Sequence, residues 1–429
     1  MRVPAWIFVS LLFLGAFGVR FGAVLAFRDI HEGPSGAISN DDVQFYHLAL
    51  NLVQGYGYRV TPDRPLTSFR APGFPFALAG LYAIVGDSAR AAYVLFCILG
   101  ATACVLTYLL AREILSENAA RIAGVLAAIY LPHVYMATTF NSESLYVPLL
   151  ALGLWLAVRY CNGAAWWNAA LAGLTLGCAT LTRPAALLML PLFVGVFLWN
   201  DWKRPRTPTA WRLNVATYAL FTLAFVGVIL PWTWRNHEVH GKWIPVATNG
   251  GTTFWGGNND RVLHETRHLG YWVPSTELPD RDQIDAAKNE VERDEIEWRL
   301  GKTWVREHLA SMPLLEAYKF ARLWWLPDYG EGKRWLRIVS YLPFLLLFGV
   351  FAVRCLWRST CWTPSWLILH ASMLAVIATA LIFCGEPRYR DANLPVLMIY
   401  AASALVGARM QIANCAVANN PPAKPPSGQ

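Results

Sequence analysis

Charge is what this 429-residue sequence has least of: 15% of its residues are Asp, Glu, Lys or Arg, while 55% are hydrophobic. A soluble domain of this length needs far less apolar material for its core. Recognisable metal patterns are also missing. The eight cysteines form no CxxC and no Cys/His zinc spacing, so they are read as buried thiols. His237, His240, His264 and His268 match no standard zinc motif, so neither a metal nor another cofactor is expected. No internal repeat is visible, which weakens a transporter built from two related halves. The net charge of +8 would raise nucleic acid as a partner in a soluble chain. In so apolar a chain, loop arginines that orient it in a bilayer account for the charge, and no nucleic acid is expected.

What the chain has in abundance is apolar runs of about 16–22 residues, near the length that crosses a bilayer. They lie near 4–26, 90–111, 120–138, 144–160, 166–182, 185–200, 211–231, 336–356, 363–384 and 391–408. The fold class is therefore an all-α polytopic membrane protein. Val24-Leu25-Ala26 suits a signal peptidase, but the first run exceeds a usual signal h-region and reads as an uncleaved anchor. A further apolar piece, "PGFPFALAGLYAIVG" at 72–86, is short and holds two prolines. If it lies on the outer face as an interfacial helix, Arg112, Arg121, Arg159, the Lys203–Arg212 group, Arg354, Arg358 and Arg409 all fall inside. If it crosses, the Lys203–Arg212 loop moves outside, against that rule. The expectation is ten membrane helices with both termini cytoplasmic, the alternative being eleven.

Four parts follow from this reading: a membrane module over 1–231 containing a first outer loop at 27–89, a large outer loop at 232–335, C-terminal membrane helices at 336–410, and a Pro-rich tail at 411–429 that is expected to be disordered. Within the large loop, Ile284, Ala287, Val291, Trp298 and Val305 recur at helical spacing, as in a surface helix with one packed face. That loop is expected to cap the membrane domain.

The few charges cluster. In "ISNDDVQFYHLALNLVQGYGY" (38–58), Ser39 and Asp42 have the spacing of a capping pair, and aspartates suit a helix N-terminus. Phe45, Leu48 and Leu52, with Tyr46, Ala49 and Val53, fit an amphipathic helix at the membrane surface. One aspartate is enough for a cap, so the second of Asp41 and Asp42 needs another reason. Glu143 opens another apolar run, with Ser142 as a candidate cap. An ionisable group at a membrane boundary is a functional candidate. Arg20, inside the first run, either snorkels to the interface or binds a ligand, and Arg183 sits at a tight turn before Pro184. In "GEPRYRDANLPVL", Glu386, Arg388, Arg390 and Asp391 read either as interfacial ion pairs or as an anion clamp, since guanidinium suits phosphate oxygens. The stretch "PWTWRNHEVHGKWIPVATNGGTTFWGGNND" combines tryptophans, which suit a membrane interface, with Asn249, Asn258 and Asn259, whose amides suit sugar hydroxyls.

Six segments in order resemble the polytopic GT-C-fold glycosyltransferases that use polyprenyl-phosphate-linked sugars, relatives of protein mannosyltransferases and aminoarabinose transferases. They are "NDDVQFYHLALNLVQGYGY", "FRAPGFPFALAGLYAIVG", "NSESLYVPLLALGLWLA", "GLTLGCATLTRPAALLMLPL", "ILPWTWRNHEVHGKWIPVATNGGTTFWGGNN" and "EPRYRDANLPVL". The resemblance implies a GT-C-like bundle that moves a sugar from a polyprenyl-phosphate carrier to a lipid, glycan or protein acceptor, with inversion, at the outer face of a bacterial inner membrane. It implies a first-loop aspartate as base, which the spacing from Tyr46 puts on Asp42 with Asp41 as neighbour, and a second acidic position at Glu143. It implies donor-phosphate arginines at Arg388 and Arg390, and less directly at Arg70 and Arg235. Tyr46, Asn249, Trp255 and Asn258 are the sugar- or acceptor-binding candidates. The chain is shorter than the aminoarabinose transferases, which puts the acceptor in doubt, and it lacks the WWDxG-like signature of oligosaccharyltransferases. The competing readings are a lipid-linked sugar flippase or transporter, and a ligase or polymerase of the O-antigen type.

Overall fold

The computed structural model describes residues 4–36, 40–202, 208–325 and 334–406. Among these residues every regular element is helical. The first stretch comprises α1 (Ala5–Phe27), α2 (Asp41–Val53), α3 (Gly73–Val85), α4 (Ala89–Arg112), α5 (Glu117–Ile129) and α6 (Leu131–Met136). Next come α7 (Glu143–Cys161), α8 (Trp167–Thr182), α9 (Met189–Trp202) and α10 (Pro208–His240). The second long loop holds α11 (Gly250–Gly256), α12 (Asp260–His264), α13 (Arg281–Asp285), α14 (Glu290–Glu307) and α15 (Met312–Leu323). The chain closes with α16 (Arg334–Trp357), α17 (Pro364–Ile382), α18 (Pro387–Asp391) and α19 (Leu394–Val406). The Lys203–Arg206 loop residues and the tail read from 411 onward lie outside the described residues.

Among the described residues, seven helical segments are long and apolar enough to cross a membrane, counting Pro184–Trp202 as one. The run read at 120–138 is instead broken into α5 and α6. Pro132 lacks an N–H and disfavours helix in the residue before it, so the chain turns extended at Tyr130 and restarts. α3 has 13 residues, about 20 Å of helix and shorter than a bilayer core. The spans are not equivalent. α7 is central, with 72% of its apolar window buried, whereas α1 and α16 bury 22% and turn Leu11, Leu14, Leu346 and Val353 outward. An outward apolar face is what lipid contact requires.

α8 packs along α10 with its backbone nearly touching. A Cβ at Gly173 would lie 2.2 Å from the Phe221 carbonyl oxygen, and one at Gly177 would lie 2.7 Å from that of Phe225. Small residues four apart allow such close helix contact where lipid supplies no hydrophobic drive.

Arg20 does not reach an interface. It is fully buried, and its guanidinium donates to the carbonyls of Ala16 (3.1 Å), Ala127 (3.3 Å) and Ala128 (3.3 Å). Ala127 and Ala128 lie in the last turn of α5, where carbonyls have no intrahelical donor because the helix breaks before Pro132. A cation there also opposes the negative end of the helix dipole. Nη2 approaches His133 Nδ1 at 3.2 Å, and Gly100 on α4 leaves room for the side chain. Arg20 thus ties α1 to the broken end of α5.

The second long loop has a core of its own, built from Trp255, Val262, Leu263, Val273, Ile284, Trp304 and Leu315. The single surface helix expected over 284–305 is divided: Ile284 is buried on α13, Ala287 lies between the helices, and Val291 is buried on α14, which the Asn289 side chain caps.

Candidate functional site

α2 begins at Asp41. Its N-cap position is Asn40, which makes no side-chain cap bond, and Ser39 lies outside the described residues. Successive helical residues point about 100° apart, so Asp41 and Asp42 face different ways. Asp41, Gln44 and Phe45 share one face and enclose Arg70. The guanidinium donates to Asp41 Oδ1 (2.6 Å) and Gln44 Oε1 (2.6 Å), and lies 5.8 Å from the Phe45 ring centroid. Asp42 shares the next face with Tyr46. Its carboxylate accepts from the Val43 N–H, and no ion pair involves it among the described residues. The Tyr46 hydroxyl donates to Asp87 (2.9 Å). Burial, then that hydrogen bond, pushes its pKa up to about 12. Tyr46 therefore anchors α2 to the turn before α4 and does not enter the cluster around Asp41.

Glu143 is the first residue of α7 and is 1% exposed. The Ser142 hydroxyl donates to its carboxylate at 3.4 Å and makes no cap bond. Its main partner is Arg183, which donates to Glu143 Oε1. The reason is local. Pro184 disfavours helix at the residue before it, so Arg183 leaves α8 extended (φ −140°, ψ 112°) and reaches back to the start of α7.

Arg388 completes the group from α18. Nη1 is 3.6 Å from Asp41 Oδ2, and Nε is 3.6 Å from Glu143 Oε1 and 3.3 Å from Glu386 Oε1. Nε makes no hydrogen bond, and the side chain is 42% exposed. Arg70 and Arg183 are 15% and 14% exposed and have close partners. The Glu386 carboxylate, followed by Glu143 and Asp41, holds the Arg388 pKa well above its usual value. Burial lowers that of Arg70, with Asp41 opposing. Three carboxylates and three guanidiniums thus meet with no formal net charge, and the loosest and most exposed of them is Arg388.

Arg390 does not join this cluster. Residues two apart on a helix do not face each other. Arg390 is fully buried against Asp391 (3.1 Å) and the Trp325 carbonyl (3.3 Å), while Tyr130 and Tyr341 donate to the Asp391 carboxylate. Arg235 is also elsewhere. It stacks over Trp232 and donates to the Thr67 carbonyl and the Ser68 hydroxyl, both at 2.8 Å. Trp255 lies in the core of the second loop. Asn258 is 1% exposed, with its amide donating to the Phe254 and Ile382 carbonyls and its oxygen accepting from Lys319. Asn249 is half-buried in the residue before α11. The histidines scatter: His237 stacks on Trp243, His240 meets Ser68, and His268 approaches Arg261. Arg183 and Glu386, weighed from the sequence without an assigned role, join the cluster, as does Gln44, which carried no sequence signal. For Arg183 the available signal was the Arg-Pro step after an apolar helix.

The cluster also constrains topology. Arg70 and Glu143 both meet groups that share Arg388, so an even number of crossings separates residues 70 and 143.

A helical bundle of this architecture, with long loops on the face that carries these charges, has the GT-C fold. The chain is a polytopic membrane protein that resembles the glycosyltransferases using polyprenyl-phosphate-linked sugars. Its residues 63–234 match the family described as dolichyl-phosphate-mannose-protein mannosyltransferase, a match that includes Arg70, Glu143 and Arg183 but not Asp41, Asp42 or Arg388. Among solved structures it is similar to ArnT from Cupriavidus metallidurans bound to undecaprenyl phosphate, at 13% identity and TM-score 0.57 over 94% of this chain and 61% of that one. It is similar as well to the Archaeoglobus fulgidus oligosaccharyltransferase in the apo form, at 14% identity and TM-score 0.53 over 94% and 50%. A third is AglB of the same organism in complex with an inhibitory peptide and a dolichol-phosphate, at 15% identity and TM-score 0.50 over 91% and 50%. At these identities the likeness is one of fold. The chain spans about three fifths of the first structure and half of the other two. No curated protein matches it by sequence.

Proposed function

We propose that this chain transfers a sugar from a polyprenyl-phosphate carrier to an acceptor at the outer face of the membrane. The observation that carries the reading is Arg388, exposed and shared among Asp41, Glu143 and Glu386 at 3.3–3.6 Å. A guanidinium so loosely held can exchange carboxylate oxygens for those of a lipid phosphate. The ligands bound to the ArnT and AglB structures, undecaprenyl phosphate and a dolichol-phosphate, support the same class of donor.

When the donor phosphate takes Arg388, Asp41 is left with Arg70 alone and has lone pairs free for an acceptor hydroxyl. The carboxylate takes the hydroxyl proton as the acceptor oxygen bonds to the anomeric carbon. The bond from that carbon to the phosphate oxygen breaks on the opposite face, inverting the centre. Polyprenyl phosphate departs with the electron pair, and Arg388 stabilises the charge that grows on it. The spacing from Tyr46 favours Asp42 as the base. Proximity to Arg388 supports Asp41, with Asp42 as its neighbour on the adjacent helix face. Arg183 holds Glu143 in place beside Arg388.

The test is transfer of a radiolabelled polyprenyl-phosphate sugar by purified protein supplied with membrane extract as acceptor. Arg388→Gln and Asp41→Asn are each expected to cut the rate about 10²- to 10³-fold, as loss of a charge-stabilising or proton-accepting group does. Asp42→Asn is expected to lose less. Full activity in both aspartate variants would sink the carboxylate-base assignment. Label that crosses a liposome membrane without transfer would instead identify a flippase.

A further inference from the structure

The stretch Thr67-Ser68-Phe69-Arg70 carries one cluster arginine, and the second long loop grips it. The carboxylate of Glu290, in the first turn of α14, accepts from the Thr67 hydroxyl (2.5 Å) and the Ser68 N–H (2.6 Å). It also accepts from the Thr248 hydroxyl at 3.2 Å and lies 3.3 Å from His240 Nε2. The Ser68 hydroxyl donates to Asn236 Oδ1 (2.7 Å) and lies 2.9 Å from the same His240 nitrogen. The Ser68 carbonyl accepts from the Thr248 N–H (3.0 Å), and Arg235 holds the Thr67 carbonyl. Two residues further on, the Tyr58 hydroxyl bonds the Arg70 carbonyl at 3.0 Å. The backbone that leads into Arg70 therefore has little freedom.

Ser68, His240 and Glu290 look like a nucleophilic triad in composition but not in geometry. His240 uses one nitrogen, Nε2, toward both partners, so it cannot relay a proton between them. Ser68 is fully buried, beyond the reach of any substrate. What the network can do is fix position. A carboxylate that accepts three hydrogen bonds from two loops, with His240 alongside, is a clamp, and the segment it clamps ends in the guanidinium that holds Asp41.

We infer that Glu290 is a positioning residue for transfer: it sets the TSFR segment so that Arg70 orients Asp41 in the cluster, making the second long loop part of the active-site frame. The inference rests on the proposed function. In Glu290→Gln one terminal oxygen becomes an NH2 donor, so in the same pose the Ser68 N–H and the Thr67 hydroxyl can no longer each donate to an oxygen of their own.

The experiment is a double-mutant cycle on purified full-length protein, with Glu290→Gln, Arg70→Gln and the pair, measuring kcat and donor KM. Glu290→Gln is expected to lower kcat about tenfold to a hundredfold with little change in KM, as small misplacements of catalytic groups do. In the Arg70→Gln background it is expected to lower kcat no further, because its effect passes through Arg70. Glu290→Asp, which keeps the carboxylate, is expected to recover part of the loss. An unchanged kcat in Glu290→Gln, or losses that multiply in the double variant, would overturn the inference. Hydrogen exchange over 65–71 supplies a readout independent of activity: faster exchange in Glu290→Gln is expected, and unchanged exchange counts against the clamp. Absence of transfer by the wild-type protein overturns the proposed function, and the catalytic part of this inference with it, while the exchange result still decides whether Glu290 holds the segment.

Discussion

Single side chains here are decided by their immediate neighbours. Asp294 shows the effect cleanly. Burial pushes its pKa up from 3.8 to about 6, against the Gly251 N–H that hydrogen-bonds it and with nearby Glu297, Glu295 and Glu290 adding to the rise. An acid whose folded pKa lies above its unfolded value holds its proton more tightly when folded. The stability it contributes is therefore present at low pH and lost as pH rises through about 4 to about 6. Asp294→Asn imitates the protonated acid and still accepts from Gly251. It is expected to raise the melting temperature of purified protein near pH 8 and to leave it unchanged near pH 4, read by tryptophan fluorescence. An equal shift at both pH values would refute the assignment. At this scale the sequence was legible in residue type but not in orientation. Glu143, Asp41, Arg70 and Arg388 were all visible as candidates because charge is scarce in this chain. Arg390 was equally visible, yet it lies two positions from Arg388 on a helical turn and faces another part of the bundle.

Between elements, packing turns on a few positions without side chains. Gly173 faces the Phe221 carbonyl at a distance no Cβ can occupy, and backbone on both sides cannot give way. Gly173→Ala is expected to push α8 from α10 and cost about 1–3 kcal/mol, as overpacking does. Because α8 delivers Arg183 to Glu143, the same change is expected to lower transfer. Gly18→Ala on α1, with nothing within 4 Å of its added Cβ, is the control and is expected to be neutral or slightly stabilising. Thermal unfolding of the two variants in one detergent checks both. The breaks between elements follow from proline chemistry already present in the sequence. Pro132 splits what composition alone reads as one span, and Pro184 turns Arg183 out of its helix. Arg20 was less legible. An arginine within an apolar run suggests an interface, and only the broken end of α5, brought alongside α1, gives it carbonyls to bind.

For the whole molecule, the question is which face meets which compartment. The cluster sets an even number of crossings between residues 70 and 143, and the positive-inside rule predicts that its face is turned outward. Single cysteines placed in a background without native ones are expected to react with an impermeant reagent from outside at position 42, and only from inside at position 204. The reverse pattern would invert the orientation, and labelling of both from one side would break the topology. By itself the sequence determined the solvent, the helical class and the short roster of charged residues. Apolar runs can be satisfied only in lipid, and a rare charge in such a chain stands out. Tertiary structure alone decided which charges act together. Asp41, Arg70, Glu143, Arg183 and Arg388 come from five separate segments, and neighbours one or two positions away, Asp42 and Arg390, point elsewhere. Helical rotation of about 100° per residue sets that choice, and only the packed bundle shows where each face looks.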